Sequence, residues 1–270
     1  MEFGMRVALA QVETTSDPAV NRVKAGVYAR EAAARGADLL VLPEMFMGLP
    51  VADCPPAEIV RRDGGAFLAA LSDFAKEAGI HITAGCWELV PGQQRVYNTA
   101  VTVSPSGEQV AAYRKIHLFD ALNVRESDTM LPGDALPPVV EIAGVRVGFA
   151  ICYDLRFPEL FRYLALQDAQ LIVIPSAWYQ GPVKETHWLT LLQARAIENT
   201  LYVAGGNLVG PSFCGRSAFF DPFGIQVAGA GEVETLLVGE IRPDRIGLIR
   251  DKLPALKNRR MSVAQTISVS

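Results

Sequence analysis

Apolar residues run almost unbroken through positions 5–12 and again through 37–42, a pattern expected of strands buried on both faces. Between them, Asp17-Pro18 offers a capping aspartate and a first-turn proline, and the spacing predicts a helix that stops at Gly36. A second helix is predicted over 65–78 and leads into a strand over 80–87. Two strand-helix-strand units in series imply a mostly parallel, covered sheet. The middle of the chain changes style. Short strands are predicted over 96–103, 109–113, 139–142 and 145–151, with Ser104-Pro105-Ser106-Gly107 and Ala143-Gly144 as turns, so antiparallel hairpins are expected there. The alternation then resumes with a helix over 158–168, a strand over 170–175, a helix over 184–198 and a strand over 201–206. Strands over 217–220, 226–228 and 235–241 finish the sheet-forming part. With no internal repeat and no linker-like stretch, the economical reading is one α/β domain over 1–270 with a mixed sheet.

Composition narrows the function more than the fold. Half of the 270 residues are apolar and a fifth are charged, which is ordinary globular usage. A net charge of −4, with no run of five basic residues, argues against a nucleic-acid partner. No stretch reaches the ~18 apolar residues that span a bilayer, and residues 5–10 are too short for a signal-peptide core, so no membrane partner and a cytoplasmic location are expected. The opening MEFGM is compatible with residues 1–4 being an addition before a natural Met5. Cys54, Cys86, Cys152 and Cys214 contain no C-x-x-C pair, which fits a reducing compartment. His81, His117 and His187 are scattered without metal spacing, and phosphate-loop, dinucleotide and serine-elbow motifs are missing. No metal or cofactor is expected.

Candidate chemistry collects at strand ends. Glu44 follows Ala37-Asp38-Leu39-Leu40-Val41-Leu42-Pro43, Lys115 follows the strand ending near Tyr113, and Cys152 follows the apolar run ending at Ile151. Each alone has a plain reading: a solvated loop glutamate, a surface lysine and a buried structural thiol. Together they are sufficient to break a carbon–nitrogen bond through a thioester. The carboxylate takes the thiol proton and returns it to the departing nitrogen, while the ammonium stabilises the tetrahedral oxyanion. Pro158-Glu159 just beyond Cys152 suits a helix start, so the segment reads as strand, short loop, helix.

The segments LPEMF around Glu44, YRKIHLFD around Lys115 and GFAICYDLRFPEL around Cys152 resemble the nitrilase superfamily of carbon–nitrogen hydrolases. The likeness extends through PSAW, GPVKETHW, LLQARAIEN and DPFG to KNRRM, and within the superfamily it is greatest to the Nit branch, which holds deaminated glutathione amidase and omega-amidase. The resemblance implies a four-layer α-β-β-α sandwich with mixed sheets that pairs into homodimers or larger homo-oligomers. It implies Glu44 as general base, Lys115 as oxyanion cation, Cys152 as nucleophile, Tyr153 as donor of a backbone N–H, and Glu126 as a second glutamate near the lysine. Arg156 matches a carboxylate-binding position of related carbamoylases, with an ion pair to Asp154 or Glu159 as the alternative. Trp178 either walls the pocket or fills the core.

The activity so implied is hydrolysis of a small carboxylate-bearing amide to an acid and ammonia, with deaminated glutathione first among substrates. Omega-amidase action on α-ketoglutaramate, aliphatic amidase, nitrilase and N-carbamoyl hydrolase activities share the triad. A cysteine hydrolase that uses one of the histidines, and a non-catalytic binding module on the same fold, are the readings from other classes.

Overall fold

The computed structural model describes residues 4–262 and 267. Most of the 1–4 stretch and the far end of the 1–270 span therefore lie outside the described residues. A first sheet takes β1 (Met5–Gln11), β2 (Leu39–Val41), β3 (His81–Leu89), β4 (Val96–Val103) and β5 (Gln109–Arg114). It is extended by β16 (Thr235–Ile241), in the order β16-β1-β2-β3-β4-β5. Strands β1, β2 and β3 run parallel, joined by α1 (Pro18–Ala34) and α2 (Pro56–Ala78), whereas β3, β4 and β5 are antiparallel.

A small hairpin of β6 (Asp120–Ala121) and β7 (Val124–Arg125) precedes the second sheet. That sheet uses β8 (Val139–Ile142), β9 (Val145–Phe149), β10 (Leu171–Ser176) and β11 (Tyr202–Asn207), with α3 (Pro158–Leu166) and α4 (Lys184–Asn199) as the crossovers. After a hairpin of β12 (Val209–Gly210) and β13 (Phe213–Cys214), strands β14 (Ala218–Phe220) and β15 (Gln226–Gly229) complete the order β15-β14-β11-β10-β9-β8.

Alternation along the strands explains the layering. In β1 and β2, Val7, Leu9, Leu39 and Val41 share a core with Phe149, Val173 and Val203 of the second sheet. Their neighbours Ala8, Ala10, Leu40 and Leu42 pack instead with Ala25, Ala29, Phe67 and Leu71 of α1 and α2. Both faces are thus buried, which is why the runs are apolar throughout rather than every second residue. On the far side, α4 lies against β11 at Gly205, where a Cβ would stand 2.6 Å from Trp188 Cζ2. The result is the four-layer α-β-β-α sandwich with mixed sheets. Among the described residues, no helix is long and apolar enough to cross a membrane.

Beyond shifts of one or two residues at element ends, two boundaries and one further helix stand out against the sequence reading. Helix α2 begins at Pro56, nine residues before the expected 65, because Pro55-Pro56 starts it and Gly64-Gly65 is carried inside the helix. Strand β9 ends at Phe149, leaving Ala150 and Ile151 to lead into the cysteine turn. A further helix, α5 (Pro243–Lys252), follows the last strand and was not anticipated, although Pro243 and Asp244 carry a helix-start signature.

Candidate active site

Glu44 sits where the chain leaves β2 and turns across β3. The turn lies so close to β3 that a Cβ on Gly85 would stand 2.5 Å from the Pro43 carbonyl oxygen and 2.6 Å from Glu44 Cα, so only glycine fits there. The Gly85 N–H donates to the Pro43 carbonyl at 3.1 Å, and the Met47 N–H donates to the Gly85 carbonyl at 3.0 Å. Fixed in this way, the Glu44 carboxylate is buried and fully engaged. Its Oε1 accepts from Lys115 Nζ at 2.9 Å and from Asn98 Nδ2 at 2.8 Å, while its Oε2 accepts from the Ala177 N–H at 2.8 Å.

Lys115 follows β5 and is held by its backbone, its N–H donating to the Asn98 carbonyl at 2.9 Å. Its ammonium lies between Glu44 and Glu126, 2.9 Å from each. Glu126 opens a short 3-10 turn after β7, and its Oε2 also accepts from the Phe119 N–H at 2.7 Å.

Cys152 begins another 3-10 turn and has φ +43°, a left-handed conformation that is uncommon for a residue with a side chain. Asp154 braces this turn. It accepts from the Ile151 N–H at 2.9 Å, from Tyr113 Oη at 2.8 Å and from the His117 N–H, with His117 Nδ1 at 2.7 Å. One buried carboxylate therefore ties the cysteine turn to the segment that carries Lys115.

The electrostatics of the cluster follow from burial and pairing. Burial alone would lower the Lys115 pKa, but Glu44 and Glu126 outweigh it and hold the ammonium well above its ordinary value. Burial raises Glu126, opposed by Lys115. The Cys152 thiol is pushed well above the ordinary range, first by burial and then by Glu44, with Lys115 opposing. A thiol held neutral needs a base at the moment of attack, and Glu44 is the carboxylate beside it.

Above this floor a cleft open to solvent is lined by Phe119, Tyr153, Arg156, Trp178, Tyr179 and Lys184 as well as by the cluster. Cys152 is 8% exposed, enough to reach that space. All seven residues singled out in the sequence meet here: Glu44, Glu126, Cys152, Tyr153, Arg156 and Trp178 line the cleft, and Lys115 lies beneath it. Trp178 combines both of its readings, being 2% exposed while presenting a face to the cleft. Arg156 stacks on Trp178 at 4.7 Å and forms no ion pair among the described residues, since Asp154 is engaged elsewhere. No histidine lines the cleft among the described residues; His117 stacks on Phe157 at 3.7 Å and turns toward Asp154.

Sequence reasoning missed Asn98, the Ala177 N–H and Lys184. An asparagine in the middle of strand β4 was a readable signal for the first, and a lysine in the first turn of a helix was one for the last. The Ala177 amide had none.

A family profile described as carbon-nitrogen hydrolase matches residues 6–251. A deaminated glutathione amidase from Escherichia coli is 36% identical over 273 residues, covering 97% of this chain and 100% of that protein. Human omega-amidase is 34% identical over 269 residues, covering 94% of this chain and 95% of its own. Among solved structures, an amidase of Nesterenkonia sp. AN1, in a glutamate-to-glutamine variant with the acetamide moiety of fluoroacetamide added covalently at its active-site cysteine, superposes with a TM-score of 0.82. It is 28% identical and the match covers 96% of this chain and 95% of that one.

Proposed function

From the premise that the chain belongs to the carbon–nitrogen hydrolase family, we propose that it hydrolyses a small carboxylate-bearing amide through a thioester on Cys152, with deaminated glutathione as the leading substrate. The enzyme class is that of an amidase. The observation that carries the reading is the Glu44 carboxylate, held by three donors beside a thiol that burial keeps neutral.

In the first half-reaction the Cys152 sulfur attacks the amide carbon as its proton passes to Glu44. The oxyanion that forms is met by the Lys115 ammonium and by the backbone N–H of Tyr153. Collapse breaks the carbon–nitrogen bond, and Glu44 delivers its proton to the leaving nitrogen. Water then attacks the thioester with Glu44 again as base, the sulfur–carbon bond breaks, and the acid leaves. Glu126 keeps Lys115 charged and aimed. A simple primary amide releases ammonia, whereas an amide derived from glutathione releases the amine that bears the rest of the peptide, so the ammonia expected from the sequence reading applies only to the former.

Omega-amidase action is the second reading, favoured by the likeness to human omega-amidase. Comparing kcat/KM on deaminated glutathione, α-ketoglutaramate, simple aliphatic amides, nitriles and N-carbamoyl amino acids separates these activities. A preference for nitriles or neutral amides would move the assignment to another branch. Pairing into a homodimer or larger homo-oligomer is supported by an apolar patch on the α4 side of the sandwich, where Ile197, Phe223 and Ile225 are 41%, 52% and 52% exposed. Equilibrium sedimentation tests it, and a monomer at micromolar concentration would remove it.

A further inference from the structure

Lys184 stands in an unusual local setting. It is the first residue of α4, where the helix dipole disfavours a cation. The residue before it, Val183, is β-branched yet has φ +55°. The residue is only 7% exposed, its ammonium opens onto the cleft, and among the described residues that ammonium has neither a hydrogen-bond acceptor nor a carboxylate within ion-pair distance. Its Nζ lies over two aromatic rings of the cleft, 5.0 Å from Trp178 and 5.2 Å from Phe119. Arg156 faces the same Trp178 ring at 4.7 Å and is likewise without an ion pair.

The charges of the cleft do not balance. On the floor, one ammonium is shared by Glu44 and Glu126. At the rim stand two cations with no counter-ion, and the pKa of Lys184 is lowered first by burial and then by Arg156. A substrate anion would relieve the repulsion between them.

We infer that Lys184 is a further, specificity-determining residue of the cleft, which contacts a carboxylate of the substrate beside Arg156. The inference rests on the amidase reading and adds to it the residue that selects the acid. The two cations grip the anion by charge-assisted hydrogen bonds, and the aromatic walls exclude water from the pairing.

The test measures kcat/KM on succinamate and glutaramate and on their uncharged counterparts, butyramide and valeramide. In the wild type the acid amides should be preferred. Lys184→Met should lower the ratio of acid to neutral amide by about ten- to a hundredfold, and Lys184→Arg should restore most of it. Competition with the wild type alone gives a second readout: glutarate should inhibit at least about tenfold more tightly than butyrate. If the wild type prefers acid amides while Lys184→Met leaves the ratio unchanged, the assignment of Lys184 is overturned and the amidase reading stands. Parity between glutarate and butyrate would also overturn it. A wild type that prefers the neutral amides defeats the carboxylate-bearing substrate itself.

Discussion

Lys115 beneath the cleft and Lys184 at its rim are both buried lysines beside the same thiol, and their surroundings move them in opposite directions. Two carboxylates hold Lys115 above its ordinary pKa, whereas burial and Arg156 bring Lys184 below it. Glu44, Lys115 and Glu126 on the floor are therefore paired before substrate arrives, at 2.7 to 2.9 Å. The rim is left with unmatched positive charge. Catalysis benefits from groups that need no rearrangement when charge develops, while recognition benefits from groups whose missing partner is the ligand. The comparison assigns chemistry to the floor and selection to the rim, and each can be attacked separately.

The largest effect belongs to the nucleophile. Cys152→Ala should abolish turnover, while Cys54→Ala, Cys86→Ala and Cys214→Ala retain it, because among the cysteines it is Cys152 that stands in the cleft beside the Glu44–Lys115–Glu126 cluster. Mass spectrometry of wild type quenched during turnover should show an acyl group on Cys152. An active Cys152→Ala enzyme would end the thioester mechanism.

Next come the partners on the floor. Glu44→Gln should lower kcat by about 10² to 10⁴, the usual effect of losing a general base. Lys115→Met should be as damaging and should also lower the melting temperature, since it leaves two carboxylates buried without their cation. If a variant of His81, His117 or His187 were as inactive as Cys152→Ala while Glu44→Gln stayed active, a histidine-dependent mechanism would replace this one.

The rim predicts a pH dependence of smaller size. Lys184 carries its charge below its pKa and loses it as pH rises through that lowered value, so inhibition by glutarate should weaken at a lower pH than an ordinary lysine would dictate. The groups that act on it are Arg156 and the Cys152 and Cys214 thiols, both thiols being raised by burial. The expected weakening is about tenfold, on the order of one charge-assisted hydrogen bond. It should be missing in Lys184→Met. A glutarate inhibition constant that is flat from neutral to alkaline pH in the wild type would erase the distinction between rim and floor.

Much of this division was legible in the sequence, and the limits have physical causes. The apolar runs disclosed the buried strands because both faces of each sheet are covered, and the ends of those strands disclosed Glu44, Lys115 and Cys152. Periodicity could not reveal that Asn98 and the Ala177 N–H converge on Glu44, since they come from different sheets and meet only when the sandwich closes. Arg156 remained open between two roles because its neighbours in sequence, Asp154 and Glu159, are both acidic. Tertiary structure turns Asp154 away toward Tyr113 and His117. The start of α2 was misplaced because a Gly-Gly pair reads as a boundary, yet here it lies within a helix begun by Pro55-Pro56.

The smallest expected effect tests how far the floor extends. Asp154 joins the cysteine turn to the Lys115 segment, and Tyr113 Oη, in a fully buried position, supplies one of its donors at 2.8 Å. Tyr113→Phe removes that donor while filling nearly the same volume, and Asp154 Oδ2 keeps the Ile151 N–H at 2.9 Å. The loss should be about 1.5 to 3 kcal/mol, the range for a hydrogen bond to a charged group, which corresponds to a fall of several degrees in Tm for a chain of this size. Because the remaining bonds still fix the turn, kcat should drop by no more than about threefold, equivalent to less than 1 kcal/mol of barrier. Thermal unfolding and steady-state rates on the same preparation separate the two effects. A hundredfold loss of kcat with an unchanged melting temperature would mean that the Tyr113–Asp154 contact tunes the nucleophile directly, and the floor would then include it.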